Sequence, residues 1–205
     1  MMLRRPPGFI APCLPLRAVR LPSGPQWIHE IKHDGYRLMV RRDGARVRCF
    51  TKNGYDWASR FPVIVEAALR LKAQSFLIDG EAVIPRADGM SNFRALRSRA
   101  SHDAVLFAFD LLMHQDADLR DLALISRKRR LARLIGGPER SAIRIVEHLT
   151  DDGATVFEHA CRMGLEGIVS KRADSPYRSG PSKVWLKSKN PASEAVRRER
   201  EEDWR

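Results

Sequence analysis

Cysteine is scarce in this chain, and the few cysteines present are not spaced for a metal site. Cys13, Cys49 and Cys161 lie far apart and form no CxxC pair. This pattern disfavours a zinc site or a disulfide framework and indicates buried free thiols. Long apolar runs are also missing, since no stretch approaches the roughly 20 residues that cross a bilayer. We therefore expect no membrane partner.

The start of the chain likewise has no continuous apolar segment of the kind that a cleaved signal peptide requires. Its first twenty residues are basic, and four prolines divide them: Pro6, Pro7, Pro12 and Pro15. We interpret this stretch as an ordered or half-ordered arm of a cytosolic protein.

Negative charge is in short supply. The 205 residues include 37 Lys and Arg against 25 Asp and Glu, which gives a formal net charge of +12. Such an excess favours a polyanionic partner such as nucleic acid, through phosphate contacts and counterion release. A basic surface without a specific partner has the same composition, so charge alone leaves both interpretations open.

Short strands alternate with helices, and neither an internal repeat nor a low-complexity linker divides them. Residues 28–50 have the pattern of two strands joined by a tight turn at Asp43-Gly44. Pro62 is placed to begin a helix, and Asp151 or Asp152 to cap another. The pattern predicts an α+β fold with mostly antiparallel sheets. Further strands are predicted at residues 76–84, 104–113, 143–146, 165–171 and 183–189, and further helices at 91–99 and 126–135.

Residues 30–37 carry the strongest chemical signal. Lys32 lies on a predicted strand and precedes an Asp-Gly turn, so its amine can face a phosphorus atom that the glycine lets approach the backbone. A lysine nucleophile must lose a proton, and its reference pKa is about 10.4. We expect burial and the positive field of Arg37, Lys187, Lys189 and a bound metal to lower that pKa. An exposed strand lysine beside a turn is the alternative explanation.

Charged groups also occur inside apolar strands further along the chain. Asp79-Gly80-Glu81 puts two carboxylates where unpaired charge is costly, so they either pair with basic residues or hold a ribose or a divalent ion. Glu166 begins a similar run that ends at Lys171. Lys187 and Lys189 alternate along a strand and so project to one face, where a phosphate chain between them would relieve their repulsion.

In their order along the chain, these segments resemble the motifs of the covalent nucleotidyltransferases. The motifs are residues 32–37, 79–81, 107–112, 166–171 and 185–189. The closest similarity is to the bacterial ATP-dependent DNA ligases of the end-joining, LigD-like group. Residues 27–37, 54–57, 60–62 and 119–122 carry that finer similarity, which covers residues 7–191.

The resemblance implies an ATP-grasp-like nucleotidyltransferase fold, in which two antiparallel sheets with flanking helices surround an ATP cleft. Residues 1–191 would form the ligase adenylation domain, and residues 192–205 a charged C-terminal tail, either a solvated helix or frayed. The resemblance also implies a bacterial cytoplasmic, nucleoid-associated protein acting on nicked or broken double-stranded DNA in repair or recombination.

Roles for the nucleotide-binding residues follow from the same resemblance. Lys32 would attack the α-phosphorus of ATP, form a lysyl-AMP phosphoramidate and release pyrophosphate. Glu30 would lie at the adenine edge, and Phe109 would stack on the base. Arg37 and Glu81 would contact ribose or phosphate.

The resemblance assigns the metal and the phosphates to a second group of residues. Glu166, with Glu81, would bind a divalent metal, Mg²⁺ or alternatively Mn²⁺, that offsets charge on the reacting phosphate. Lys187 and Lys189 would orient the α-phosphate and stabilise the transition state. AMP would then pass to the 5′-phosphate of a DNA nick, and the 3′-hydroxyl would displace it.

Two features depart from the family pattern. Lys52 stands where the group usually has arginine, and the loss of a bidentate fork would weaken the grip on the DNA 5′-phosphate. The sequence also has no segment that could form the OB-fold domain with which the family clamps DNA. We therefore expect slow nick sealing, with a separate protein supplying the clamp.

Two other functions remain open from the sequence. One is a different covalent nucleotidyltransferase, an RNA ligase or a capping guanylyltransferase. The other is a catalytically impaired ligase-like domain that binds DNA or a partner without turnover. Intact charges at Lys32, Glu81, Glu166, Lys187 and Lys189 argue against this second alternative.

Overall fold

The computed structural model describes residues 6–97, 101–136 and 141–203. Ten strands occur in these ranges: β1 Cys13–Arg17, β2 Trp27–Ile31, β3 Tyr36–Asp43, β4 Arg46–Thr51, β5 Ser75–Val83, β6 Val105–His114, β7 Ala117–Asp118, β8 Ile143–Ile145, β9 Gly167–Arg172 and β10 Gly180–Lys189. The same ranges hold five α-helices: α1 Pro62–Arg70, α2 Phe93–Arg97, α3 Leu124–Ile135, α4 Gly153–Arg162 and α5 Glu194–Asp203.

The larger sheet contains the predicted tight hairpin. Its strands run in the order β4-β3-β5-β6-β7, and β8 pairs with β6. β3 and β4 are joined at Gly44, whose φ of 61° is the left-handed conformation that such a turn requires. The predicted helix starting at Pro62 is α1, with proline in its first turn. α2 ends at Arg97, and the remainder of the predicted 91–99 helix falls outside the described residues.

The smaller sheet has the order β1-β10-β9-β2. The segment that we interpreted as an arm supplies β1, which pairs in parallel with β10. Cys13 is 2% exposed, and its backbone N–H donates to the Tyr177 hydroxyl at 2.9 Å. The predicted fold of two antiparallel sheets with flanking helices is confirmed, with two parallel pairs as exceptions, β1 with β10 and β6 with β8.

Two apolar clusters pack against the larger sheet. One lies between the larger sheet and the helices α1 and α3, and includes Ile64 and Leu131. The other joins the two sheets, with Met39 and Leu77 from the larger one meeting Trp185 from the smaller. Both faces of the larger sheet are therefore covered, which explains the nearly continuous burial of β5 and β6.

The predicted two-strand region 28–50 contains three strands, because the chain changes sheets between β2 and β3. Gly35 lies in this crossover. A Cβ atom on Gly35 would lie 2.1 Å from the carbonyl oxygen of Ala82, so a side chain cannot be accommodated there. The crossover thus sets residues 32–35 at the junction of the two sheets.

A fully buried ion pair ties α3 to the larger sheet. Arg127 donates to both carboxylate oxygens of Asp110, at 2.7 and 2.8 Å, and also to the carbonyls of Leu122 and Ser175. Both side chains are 0% exposed. Burial raises the pKa of Asp110 even though the Arg127 guanidinium opposes that shift.

We expect Arg127→Met to lower the free energy of unfolding by about 3–5 kcal/mol, because it leaves a buried carboxylate without its partner. The double variant Asp110→Leu, Arg127→Met removes both charges and should recover part of this loss. Urea unfolding of both variants tests the pair. A double variant no more stable than the single one would contradict this account.

Candidate active site

Lys32 lies directly after β2, at the point where the chain leaves the smaller sheet. Its backbone N–H donates to the carbonyl of Gly167 at 2.9 Å, which fixes it against β9. Its side chain is 23% exposed, and its Nζ lies 2.7 Å from Oε1 of Glu166. The side chain is therefore held against Glu166 and is partly exposed at the junction of the sheets.

The protein's own groups raise the pKa of Lys32 above its usual value. Burial favours the neutral amine, but Glu166 and then Glu81 outweigh it. Our expectation that neighbouring cations lower this pKa was wrong for the protein groups alone, since the nearest partners are carboxylates. Deprotonation of Lys32 needs the charge of those carboxylates to be offset.

Glu166 and Glu81 have properties that suit a divalent cation. Glu166 Oε2 is buried and has no hydrogen-bond partner among the described residues. Burial raises the pKa of Glu81 to about 7, although Lys32 and Arg37 act in the opposite direction. No group of three or more His, Cys, Asp or Glu side chains that could hold a metal occurs in the described ranges. Mg²⁺ commonly uses one or two carboxylates together with substrate phosphates, so this pair fits that ion.

Arg37 lies near the start of β3, on the side of the site that the larger sheet forms. It pairs directly with Glu81 of β5. Its guanidinium donates to both oxygens of Asp79, at 2.5 and 2.7 Å, and to the carbonyl of Cys13 at 3.2 Å. The Tyr177 hydroxyl also donates to Asp79, at 2.7 Å. The Asp79 carboxylate raises the pKa of Arg37, against the effect of burial. Arg37 is thus a fixed cation beside Glu81.

Two aromatic residues, Phe107 and Phe109, lie two positions apart on β6 near the crossover. Phe109 lies beneath two cations, with Arg37 Cζ 4.5 Å and Lys171 Nζ 4.2 Å from the ring centroid. Phe107 stacks on His33 at 4.0 Å between centroids. Burial, the largest cause, lowers the pKa of His33 to about 4, so its ring is neutral at pH 7. Stacking of the base on Phe109 stays a prediction.

Glu30 is buried beneath the crossover between two lysines. Lys128 Nζ lies 2.6 Å from Oε1, and Lys171 Nζ 2.5 Å from Oε2. Burial raises the pKa of Glu30, but the two ammonium groups outweigh it and the pKa is lowered. The carboxylate is therefore charged at pH 7, and its predicted place at the adenine edge remains a prediction.

Lys187 and Lys189 of β10 complete the positive side of the site. The pKa of Lys187 is lowered by burial first and then by the charges of Lys189 and Lys32. Lys189 donates to Glu199 of α5, 2.5 Å from Oε1. The three lysines thus share one region, as the alternating sequence of β10 predicted for two of them.

Lys52 lies apart from this cluster, in the turn after β4, where it is exposed. β4 ends at Thr51 opposite Leu38, the neighbour of Arg37. Lys52 is therefore at the same end of the sheet as the site, and its predicted contact with a DNA phosphate stays a prediction.

Sequence analysis gave no role to four residues that the structure places at or beside the site. They are His33, Phe107, Arg198 and Glu199. The alternation Phe107-Ala108-Phe109 could have indicated that both rings share a strand face. Nothing local in the sequence connects α5 with Lys189, because that contact depends on how the chain folds back.

The two sheets have the nucleotidyltransferase architecture that the motifs predicted. Lys32 lies in the crossover between them, with the carboxylates of Glu166 and Glu81 nearby. Residues 16–189 match the family model described as the ATP dependent DNA ligase domain. The chain belongs to this family of ATP-dependent DNA ligase domains.

Individual relatives agree with this membership. The multifunctional non-homologous end joining protein LigD of Pseudomonas aeruginosa is 38% identical over 187 residues, which cover 89% of this chain and 22% of that protein. LigD of Mycobacterium tuberculosis is 33% identical and covers 80% of this chain and 22% of its own length. The chain thus spans about a fifth of the length of these curated relatives.

Solved structures show the same fold. A mycobacterial DNA ligase D complexed with ATP and MES superposes with a TM-score of 0.76 at 29% identity, covering 87% of this chain and 60% of that one. A Chlorella virus DNA ligase-adenylate has a TM-score of 0.66 at 17% identity. Among the described residues, no helix is long and apolar enough to span a membrane.

The raised pKa of Glu81 predicts a pH-dependent stability difference. A carboxyl whose folded pKa is raised stabilises the fold at low pH, and this contribution is lost as pH rises through about 7. Glu81→Gln should therefore unfold at a higher temperature than the parent at pH 8, by about 2–4 °C, which is roughly 1 kcal/mol after solvent screening.

At pH 5 the two proteins should unfold at nearly the same temperature. Glu158→Gln, at an exposed position on α4, is the control and should show no such pH dependence. Calorimetric melting at both pH values measures the difference. A Glu81→Gln effect of equal size at pH 5 and pH 8 would exclude a raised pKa.

Proposed function

We propose that this chain carries out ATP-dependent adenylyl transfer of the DNA ligase type, with Lys32 as the residue that becomes adenylated. The observation that supports this most is the position of the Lys32 amine. It lies 2.7 Å from Glu166 and within the electrostatic range of Glu81 and Lys187, and the Lys32 side chain is 23% exposed.

The proposed first step forms a bond between Lys32 Nζ and the α-phosphorus of ATP and breaks the bond to the pyrophosphate oxygen. A cation at Glu166 and Glu81 would offset the carboxylate charge that keeps Lys32 protonated, and the ammonium proton would leave to solvent. Lys187 and Lys189 would hold the α-phosphate oxygens, where charge develops in the transition state. Mg²⁺ or Mn²⁺ held by Glu166 and Glu81 would offset phosphate charge. Glu30 and Phe109 would bind the base, and Arg37 the ribose or a phosphate.

The proposed later steps act on DNA. AMP would pass from Lys32 to the 5′-phosphate at a nick, and the 3′-hydroxyl would then displace AMP and close the strand. Nicked or broken double-stranded DNA suits the net charge of +12, and Lys52 at the end of β4 would contact the 5′-phosphate. Such a substrate would place the activity at the nucleoid in the bacterial cytoplasm.

We further propose that residues 1–191 form the adenylation domain and that efficient sealing needs a DNA clamp from outside these residues. The relatives named LigD are much longer than this chain, so their whole activity is wider than one such domain. Their names favour DNA over the RNA or cap substrates of other covalent nucleotidyltransferases.

Label transfer tests the adenylation step. The protein is incubated with α-labelled ATP and Mg²⁺, with pyrophosphatase to remove product, and separated on a denaturing gel. Lys32→Arg should lower labelling at least about 1,000-fold, because guanidinium stays protonated and is not a nucleophile. Lys72→Arg, a change at an exposed lysine, should label like the parent.

A parent protein that never takes label would exclude autonomous adenylation, and label retained in Lys32→Arg would place the nucleophile elsewhere. The DNA step needs its own assay. Pre-adenylated protein is mixed with nicked DNA or nicked RNA duplex, and the formation of sealed strand is followed. Faster sealing of RNA would contradict the DNA assignment.

A further inference from the structure

Helix α5 crosses the mouth of the site and is fastened by ion pairs to three separate segments. Glu194 pairs with Arg86 at 3.2 Å, at the start of the helix. One turn later, Arg198 Nη2 lies 2.7 Å from Asp34, the aspartate of the crossover that carries Lys32. The next residue, Glu199, pairs with Lys189. The helix therefore contacts both motifs that flank the proposed α-phosphate position.

The Glu199 carboxylate lies where the charges of the lysine cluster converge. Lys189 Nζ donates to both of its oxygens, and the distance to Oε1 is 2.5 Å. The hydrogen bond from Lys189 is the main cause that lowers the pKa of Glu199, and the charges of Lys189, Lys32 and Lys187 lower it further. A carboxylate that accepts from Lys189 in the field of Lys32 and Lys187 resembles a phosphate group in its negative charge and its acceptor oxygens.

Polar contacts hold α5 more than apolar packing does. Among residues 194–201 of α5, whose burial is described, Val196 is the one buried residue, at 7% exposure. The Glu199 side chain is 55% exposed, and Lys189 is 18% exposed. Ion pairs as exposed as those of Glu194 and Glu199 are weak and are screened by salt, so their release costs little.

We propose that α5 is an autoinhibitory strap, in which Glu199 occupies the position of a nucleotide phosphate and must leave Lys189 before ATP can bind productively. This inference rests on the proposed function, because it takes Lys189 as a phosphate ligand. The polyphosphate of ATP carries more negative charge than one carboxylate and competes for the same lysine. Closure of the strap reduces the binding-competent fraction, so it raises the apparent Kd for ATP.

Calorimetric titration with α,β-methylene-ATP and Mg²⁺ measures this effect without turnover. Glu199→Gln keeps the size of the side chain but removes its charge, and should lower the Kd about two- to fivefold relative to the parent. Glu201→Gln makes the same charge change at an exposed position on the same helix and should leave the Kd unchanged. The ratio between parent and Glu199→Gln should shrink as salt is raised.

Hydrogen exchange of the α5 amides gives a readout independent of affinity. Saturating α,β-methylene-ATP should speed exchange in α5 of the parent, because the nucleotide displaces the strap. An equal Kd for parent and Glu199→Gln, or α5 exchange that is unchanged or slowed by nucleotide, would overturn the strap while leaving the proposed function intact. If neither the parent nor the variants bind α,β-methylene-ATP, both the strap and the proposed function are overturned.

Discussion

The contact between Gly35 and the carbonyl of Ala82 is the constraint on which the site depends. Since a Cβ atom at residue 35 would lie 2.1 Å from that oxygen, β3 can start against β5 only with glycine there. This contact lets the chain pass between sheets within four residues, from the end of β2 to the start of β3. Lys32 is consequently held at the junction, near Glu166, which precedes β9 of the smaller sheet, and near Glu81 of β5 in the larger sheet.

The charges around Lys32 are arranged for ligands that carry charge themselves. Glu166 and Glu81 raise the pKa of Lys32, whereas burial and neighbouring lysines lower the pKa of Lys187. Buried carboxylates and clustered ammonium groups both cost folding free energy unless a partner of opposite charge is present. A divalent cation and a polyphosphate would relieve both costs together. The same residues therefore limit the stability of the fold, and under the proposed function they would favour a metal-bound nucleotide as ligand.

The sequence indicated which residues are candidates for the site, but it did not indicate the contacts that bring distant segments together. Short motifs indicated Lys32, Glu81, Glu166, Lys187 and Lys189 as candidates, because each lies within three residues of a glycine or in a strand alternation that is visible locally. The parallel pairing of β1 with β10 was missed, since it joins residues more than 160 positions apart. The stacking of His33 on Phe107 and the two lysines around Glu30 were missed for the same reason. Contacts of this kind depend on sheet topology, which local patterns do not encode.

Helix α5 shows how a charged segment can belong to a site without belonging to a core. Its dense mixture of charges led us to expect a solvated tail, and most of its described side chains are indeed exposed. Glu194 and Arg198 are four residues apart, so both fall on one helix face, and Glu199 extends that face towards β10. Attachment mainly through ion pairs is weak and reversible, whereas a broad apolar face would hold the helix more firmly. A helix attached in this way can therefore yield to a ligand that carries more charge, which is the property that a nucleotide cleft requires.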